Sequence, residues 1–206
     1  MNQREQGGFG DQATITLNAG AKANETVGIE GHYHVVCHDK DGNLKWEESF
    51  PNLVNEVGKE LLLNTLLRTP SPSTYTTVGP FLGLIGGATP TFGTGTDTQT
   101  SHAGWTEFVN YTVGGSAVRG TAVFGAATSA GSTPTNITTC TAAAITYTIT
   151  GAGGTVSGCF LVTGSGAVAT QSNTGGVLYS AGAFAVAKIT TAGDTVAVTY
   201  STTATS

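Results

Sequence analysis

Charged side chains are scarce in this sequence, and their distribution is uneven. Asp, Glu, Lys and Arg make up 10% of the 206 residues, against about a quarter in an average soluble domain. Beyond residue 70 the charged residues are Asp97, Glu107, Arg119, Lys188 and Asp194. A monomeric protein normally keeps a well-charged surface of mixed sign. The neutral stretch therefore predicts a surface that other subunits cover; the alternative is an exterior solvated by Thr and Ser hydroxyl groups.

Basic clusters, long apolar runs and a secretory leader pattern are also missing. The net charge is −5 at pH 7, and no cluster of Lys and Arg is available to neutralise the phosphates of a nucleic acid. No apolar run approaches the length that spans a bilayer, and the first residues lack the apolar core of a signal peptide. We therefore expect that neither a nucleic acid nor a membrane is a direct partner. We also expect that the protein is synthesised into a cytosol.

Cysteine is too rare to organise the fold. Cys37, Cys140 and Cys159 are the three present, and their scatter excludes a disulfide scaffold or a cysteine-based zinc site. Each is expected to act as a small buried apolar residue. The sequence leaves open whether Cys140 and Cys159 approach closely enough to form a disulfide.

The residues that are present favour β-structure around one helix. Residues 29–50 read as two strands joined by a turn at residues 39–43, in which Gly42 supplies a positive φ. Apolar residues then recur at helical spacing over residues 53–67, with Asn52 as the predicted N-cap. Short strands separated by Gly-rich or Thr/Ser-rich turns are predicted at 80–85, 105–113, 117–124, 143–150, 156–162, 176–187 and 194–201.

This pattern predicts a mainly β fold, an antiparallel sandwich or a jelly-roll-like arrangement with one short α-helix. Residues 1–27 lack a sustained period and are expected to form an extended N-terminal arm. Residues 28–206 are expected to form a single β-rich domain. It comprises the hairpin at 29–50, the helix at 53–67 and the β-sandwich at 80–201.

Three histidines share one face of the first predicted strand. His32, His34 and His38 lie at even offsets, so a regular strand projects them together. Two of these imidazoles could bind a divalent metal, but a site also needs a third ligand and second-shell partners. We predict no metal site and take the three histidines as candidate residues for contact between subunits.

Catalytic chemistry is poorly represented. Asp97, Ser101 and His102 carry the side-chain types of a hydrolase triad, but no nucleophile-elbow sequence accompanies them. The acids Glu47, Glu48, Asp97 and Glu107 are scattered and form no evident carboxylate pair. The turn at residues 39–43 lacks the spacing of a calcium loop. We therefore predict that the protein is not an enzyme and has no catalytic residue and no cofactor.

Several short motifs resemble a widespread family of structural proteins of tailed bacteriophages. The resemblance covers residues 28–201. Its C-terminal motifs are HAGWTE at 102–107, Tyr111, Arg119, VSGCFL at 156–161, LYSAGAF at 178–184 and GDTVAVTY at 193–200. Upstream it continues through the hairpin, FPNLV at 50–54, the helix and FLGLI at 81–85.

The resemblance implies a structural protein of the virion, assembled in the host cytoplasm. The role within this family that we favour is a capsid cement or decoration protein, which is jelly-roll-like and stabilises the head. Its partners would be the major capsid protein, on which the arm becomes ordered, and copies of itself, as a trimer at symmetry positions of the shell. The alternative is a tail, neck or fibre component that binds a host receptor or a carbohydrate.

Three aromatic residues are candidate anchors for contact between subunits. Trp46, Trp105 and Phe184 combine large apolar area with rigid geometry, which is typical of interface hot spots. For Trp105 and Phe184 the core is the favoured alternative, because both lie within predicted strand patterns.

Overall fold

The fold was obtained as a computed structural model, which describes residues 28–67, 79–87, 89–92, 96–132 and 135–205. These residues form twelve strands and one helix. The strands are β1 (Gly28–His38), β2 (Leu44–Val54), β3 (Phe81–Gly86), β4 (Thr106–Phe108), β5 (Tyr111–Thr112), β6 (Gly120–Thr121), β7 (Thr128–Ser132), β8 (Thr135–Thr141), β9 (Ile145–Ile149), β10 (Gly154–Thr163), β11 (Val177–Thr190) and β12 (Thr195–Thr205). The helix α1 spans Glu56–Leu67. The predicted N-terminal arm, residues 1–27, lies outside the described residues.

The strands pair antiparallel in one sheet that nearly closes as a barrel. Along its main path the order is β4-β3-β10-β11-β2-β1-β12-β8-β7, and β9 pairs with β12. The segment after β6 draws the two ends of this path together. Ala122 N donates to Pro80 O at 2.8 Å, and Gly125 N donates to Thr141 O at 3.0 Å. The predicted mainly β, antiparallel fold with one short helix is confirmed.

β1 and β2 form the expected hairpin, which extends beyond residue 50 to Val54. The carboxylate of Asp39 organises the turn by accepting hydrogen bonds from the backbone N–H groups of Asp41 and Asn43, both at 2.9 Å. Bonds from the Asn43 side chain and backbone hold the pKa of Asp39 below its usual value. Gly42 has a φ of 85°, a conformation that favours glycine.

The helix begins three residues later than the sequence predicts. Val54 and Leu53 belong to the end of β2, where they pair with Ser180 and Ala181 of β11. Asn52 is therefore not the N-cap. The carbonyl of Asn55 instead accepts hydrogen bonds from Gly58 N and Lys59 N, both at 3.0 Å. Long-range pairing with β11 thus overrides the local helical spacing of these apolar residues.

The strands predicted at 105–113 and 117–124 are shorter in the structure. The first is divided into β4 and β5, with a tight turn between them in which Tyr111 N donates to Val109 O at 2.9 Å. In the second, β6 comprises Gly120–Thr121. The hairpin β7–β8 lies in a Thr-rich and Ser-rich stretch for which the sequence predicts a turn.

One core cluster fills the barrel and another lies on its outer side. The interior cluster contains the inward residues of β1, β9 and β12, including Tyr33, Tyr147 and Tyr200. The outer cluster contains Phe160 of β10 together with Trp105, and it is built on β3, β10 and β11. We call the outer surface of these three strands the covered side, because the segments 89–92, 96–105 and 164–176 lie against it.

Candidate functional site

The opposite side of the barrel presents an exterior that we call the threonine face. It consists of outward side chains of β2, β1, β12, β8 and β9. On β1, on β9 and over residues 195–200 of β12 these side chains alternate with buried residues. Its residues are Glu47, Ser49 and Pro51; Glu30, His32, His34, Val36 and His38; Thr195, Ala197, Thr199, Ser201 and Thr203; Thr139 and Thr141; and Thr146 and Thr148. Among these, Glu30 and Glu47 are the acids, and Lys and Arg are absent.

The three predicted histidines lie together on this face. Tyr33, Val35 and Cys37, which alternate with them, are completely buried. His34 shares a hydrogen bond of 2.9 Å between its Nδ1 and Ser49 Oγ, and its Nε2 lies 3.5 Å from Glu47 Oε1. In the part of the chain that the structure describes, no group of three or more His, Cys, Asp or Glu side chains could hold a metal.

The threonine hydroxyl groups also bond to one another across strands. Thr139 Oγ1 and Thr203 Oγ1 are 2.9 Å apart on β8 and β12. Thr146 and Thr148 are exposed, whereas Tyr147 between them is completely buried. A partner that covered this face would therefore meet methyl and hydroxyl groups, with few charges to remove from water.

Trp46 and Phe184 meet where β2 passes β11. The Phe184 ring packs edge-on against Trp46, with centroids 5.4 Å apart, and against Phe50 at 5.1 Å. Phe184 is buried, so little of its ring is left for a partner to contact, whereas Trp46 is half-buried. Further along β11, the side chains of Val186 and Ile189 are exposed.

The few charged side chains beyond residue 120 are used in ion pairs. Lys188 Nζ lies 2.9 Å from Glu48 Oε2, and Lys45 Nζ lies 2.6 Å from Asp194 Oδ2. Burial acts to raise the pKa of the Asp194 carboxyl, but hydrogen bonds from Lys45 and Thr191 outweigh it, and the net pKa is lowered. Both charges are thereby engaged with the subunit's own side chains.

On the covered side, a buried ion pair forms one wall of a polar cleft. The guanidinium of Arg119 is completely buried and donates to Glu107 through Nε at 2.9 Å and Nη2 at 2.6 Å. It also lies 5.2 Å from the centre of the Phe160 ring. Bidentate pairs of this kind are strong and directional. The cleft has a volume of about 190 Å³, and it is lined by Gln99, His102, Trp105, Thr106, Glu107, Arg119, Ser172, Asn173 and Thr174.

The same ion pair fixes the loop on the far side of the cleft. Arg119 Nη2 donates to Asn173 O at 2.7 Å, and Ser172 N donates to Glu107 Oε2 at 2.8 Å. Ser172 has a φ of 59°, which is uncommon for a residue other than glycine. Such outliers persist where surrounding contacts dictate them, often at functional sites. These two hydrogen bonds tie the loop to the ion pair.

Two of the residues considered for a catalytic triad lie beside this cleft without forming one. His102 Nδ1 lies 3.1 Å from the carbonyl oxygen of Trp105. Because a carbonyl can only accept, Nδ1 carries the proton and Nε2 is an acceptor in the neutral ring. The imidazole stacks on Trp105, with ring centroids 3.9 Å apart. Ser101 is exposed, and its backbone pairs with Thr98 in a turn.

Trp105, predicted as an interface anchor or a core residue, is 5% exposed and packs against Phe160 at 5.2 Å. Its ring lies in the outer cluster and its edge lines the cleft. The residues of the cleft come from separate parts of the chain, so no local sequence pattern brings them together. The one local signal was that Glu107 and Arg119 are charged within an otherwise neutral stretch.

An apolar cavity of about 320 Å³ lies near α1, between β8, β10 and β12. Leu62, Leu161, Tyr200 and Cys140 are among its lining residues. Burial raises the pKa of the Cys140 thiol. Cys140, Cys159 and Cys37 are all free thiols in the structure.

Comparison with protein-family models, curated proteins and solved structures finds no match to this chain. The resemblance to structural proteins of tailed phages therefore stays a prediction. Over the described ranges, no helix combines the length and the apolar character needed to cross a membrane.

Proposed function

We propose that this chain is a non-enzymatic structural protein of a bacteriophage virion. In this proposal it acts as a capsid cement, packing against the major capsid protein and against copies of itself in a trimer. The observation that supports the proposal best is the threonine face, an ordered, nearly uncharged exterior. A partner that covers this face has few charged side chains to desolvate, and the cores of protein interfaces are likewise depleted of charged residues.

The size of the face suits such a contact. Its strands lie four abreast, about 4.8 Å apart and up to about 36 Å long, which gives an area of the order of 700 Å². A stable interface buries about 800 Å² on each partner. The jelly-roll-like architecture expected for phage cement proteins belongs to the same antiparallel class as the sheet seen here. The role requires no catalytic group and no cofactor.

A binding experiment with empty phage heads assembled without this protein tests the proposal. We expect the wild-type chain to bind the heads saturably and to raise their resistance to heat. Thr146→Lys places a charge in the threonine face and should weaken binding at least tenfold. Thr89→Lys makes the same change at an exposed position on the covered side, and it should bind like the wild type.

Two outcomes would contradict the proposal. In one, the wild-type chain stays monomeric and does not bind the heads. In the other, Thr146→Lys and Thr89→Lys bind equally well. Cryo-electron microscopy of the particle gives an independent answer, since cementing requires density at subunit junctions of the shell in many copies.

The polar cleft favours a second candidate, a tail, neck or fibre component that binds a receptor or carbohydrate. Ligand sites generally place a few polar groups in a concave, largely preformed pocket, and the cleft at Arg119 and Glu107 has that character. A titration against host-cell envelopes distinguishes the candidates. A receptor-binding protein saturates the envelopes, whereas a cement protein leaves them unoccupied.

A further inference from the structure

Two buried polar atoms in the cleft wall have no hydrogen-bond partner among the residues that the structure describes. Gln99 is 3% exposed; its Nε2 donates to Asn173 O at 3.1 Å, but its Oε1 accepts no hydrogen bond. Trp105 is 5% exposed, and its Nε1–H has no acceptor within the described ranges. Buried polar groups in native proteins are nearly always paired. One unfilled acceptor and one unfilled donor in the same wall indicate a molecule that supplies both complements.

The charges of the cleft restrict what that molecule can be. Arg119 directs Nε and Nη2 at Glu107, and its remaining hydrogen bonds go to the carbonyl oxygens of Val168 and Asn173. The Glu107 carboxylate is bonded in turn by Arg119 and Ser172 N. Because the cation and the anion neutralise each other, the cleft offers no uncompensated charge. An ionic ligand would gain little here, so the complementary ligand is neutral.

Hydroxyl groups satisfy both requirements, because each can donate and accept. A hydroxyl can donate to Gln99 Oε1 or to Nε2 of His102, and it can accept from Trp105 Nε1–H. Thr106, Ser172 and Thr174 add residues with hydroxyl groups to the lining. A volume of about 190 Å³ lies below the ~300–1,000 Å³ of sites for drug-sized ligands. We infer that the cleft binds a single ring of a neutral carbohydrate.

The wall is organised before any ligand arrives. Asn173 O accepts from both Arg119 and Gln99, and Ser172 is held at a positive φ by its bond to Glu107. A site that is already ordered loses less conformational entropy on binding than a mobile one. This favours measurable affinity even for a ligand as small as one sugar ring.

The two tryptophans of the chain provide the test, because each contributes one indole N–H signal. Full-length protein labelled with ¹⁵N-tryptophan is titrated with glucose, galactose, rhamnose and N-acetylglucosamine, and the indole signals are followed by NMR. We expect at least one sugar to shift the Trp105 signal saturably while the Trp46 signal stays in place. Trp46 is an internal control, since it lies beside Phe184, away from the cleft.

Substitution of Gln99 locates the binding. Gln99→Met keeps the approximate size of the side chain and removes Oε1, so it should weaken sugar binding at least tenfold. Gln171→Met makes the same change at a glutamine that is absent from the cleft lining and donates to Tyr111 O. It should bind sugar like the wild type. An unchanged Trp46 signal verifies the fold of both variants.

The inference is overturned if no sugar moves the Trp105 signal, which would mean that water alone satisfies the two atoms. It is also overturned if both indole signals move together, or if Gln99→Met and Gln171→Met bind equally. Cementing and sugar binding are tested by separate variants, on the threonine face and in the cleft. Either proposal can therefore fail while the other stands.

Discussion

The threonine face and the covered side are built from strands of the same sheet, but the first is exposed to solvent and the second is buried under other segments of the chain. β9 alternates buried and exposed residues along Ile145–Ile149, whereas all six residues of β3 are buried. β3 needs a second layer on its outer surface, and the chain supplies it from its own loops. β9 needs none, and its outer surface is left for solvent or for another subunit.

This difference explains where the sparse charges lie. On the covered side Arg119 and Glu107 are buried and bonded to each other, so they hold loops in place. On the threonine face the charged groups are the exposed carboxylates of Glu30, near the start of β1, and of Glu47 on β2. A buried charge on the covered side stabilises the fold. A charge added to the threonine face would instead affect the binding of another subunit.

The largest expected effect comes from breaking the buried ion pair. Glu107→Ala leaves the Arg119 guanidinium buried without its anion, so the free energy of unfolding should fall by about 3–5 kcal/mol. Glu47→Ala on the threonine face removes an acid that is about half exposed, and it should change stability by less than about 1 kcal/mol. Urea unfolding of the two variants makes the comparison. Equal effects would show that the two regions do not differ as described.

A smaller effect is expected where the helix rests on the sheet. A Cβ at Gly58 would lie 2.7 Å from Tyr179 O and 3.0 Å from its Cα, both backbone atoms of β11. Gly58→Ala should therefore destabilise the protein by about 1–3 kcal/mol, although alanine favours a helix interior. Lys59→Ala, at the exposed neighbouring position, serves as the control. A gain in stability at Gly58 would show that α1 does not pack this closely.

The Lys45–Asp194 pair gives an effect that depends on pH. Asp194→Asn should lower stability by about 1–3 kcal/mol at neutral pH. The folded pKa of Asp194 is lowered, so its contribution is fully present above the unfolded value of about 3.9 and is lost as pH falls through the folded pKa. The two stability curves should converge in acid. Asp41→Asn, at an exposed pair with Lys40, should show little difference at any pH.

The smallest effect on stability is expected on the threonine face itself. Thr146→Lys should change the free energy of unfolding by less than about 0.5 kcal/mol, because the side chain is exposed and removes no packed group. Thermal unfolding measured beside the head-binding experiment checks this. A loss of binding by a fully stable variant would separate the role of the face in association from its role in folding.

Local patterns in the sequence predicted the features that depend on neighbouring residues. The turn at Asp39–Asn43 follows from its turn residues, with Gly42 at a positive φ, and the shared face of His32, His34 and His38 follows from a spacing of two residues. Features set by distant pairing could not be found in this way. The helix begins at Glu56 because Val54 pairs with β11, and the helical spacing of the apolar residues gives no indication of that pairing.

The cleft illustrates the same limit. Gln99, Trp105, Arg119 and Ser172 come from segments that meet only when β10, β3 and the covering loops are assembled. Gln99 and Ser172 carry no unusual local pattern. Glu107 and Arg119 differ from their sequence neighbours only in being charged, and a charge does not predict which residue it pairs with in the fold.

The near absence of charge on the threonine face also has a consequence for the medium in which it works. At an ionic strength of 0.15 M, attraction between exposed charges is screened beyond about 8 Å. Apolar contact and hydrogen bonding between hydroxyl groups are not screened in this manner. An assembly held together through this face would therefore stay associated at both low and high ionic strength.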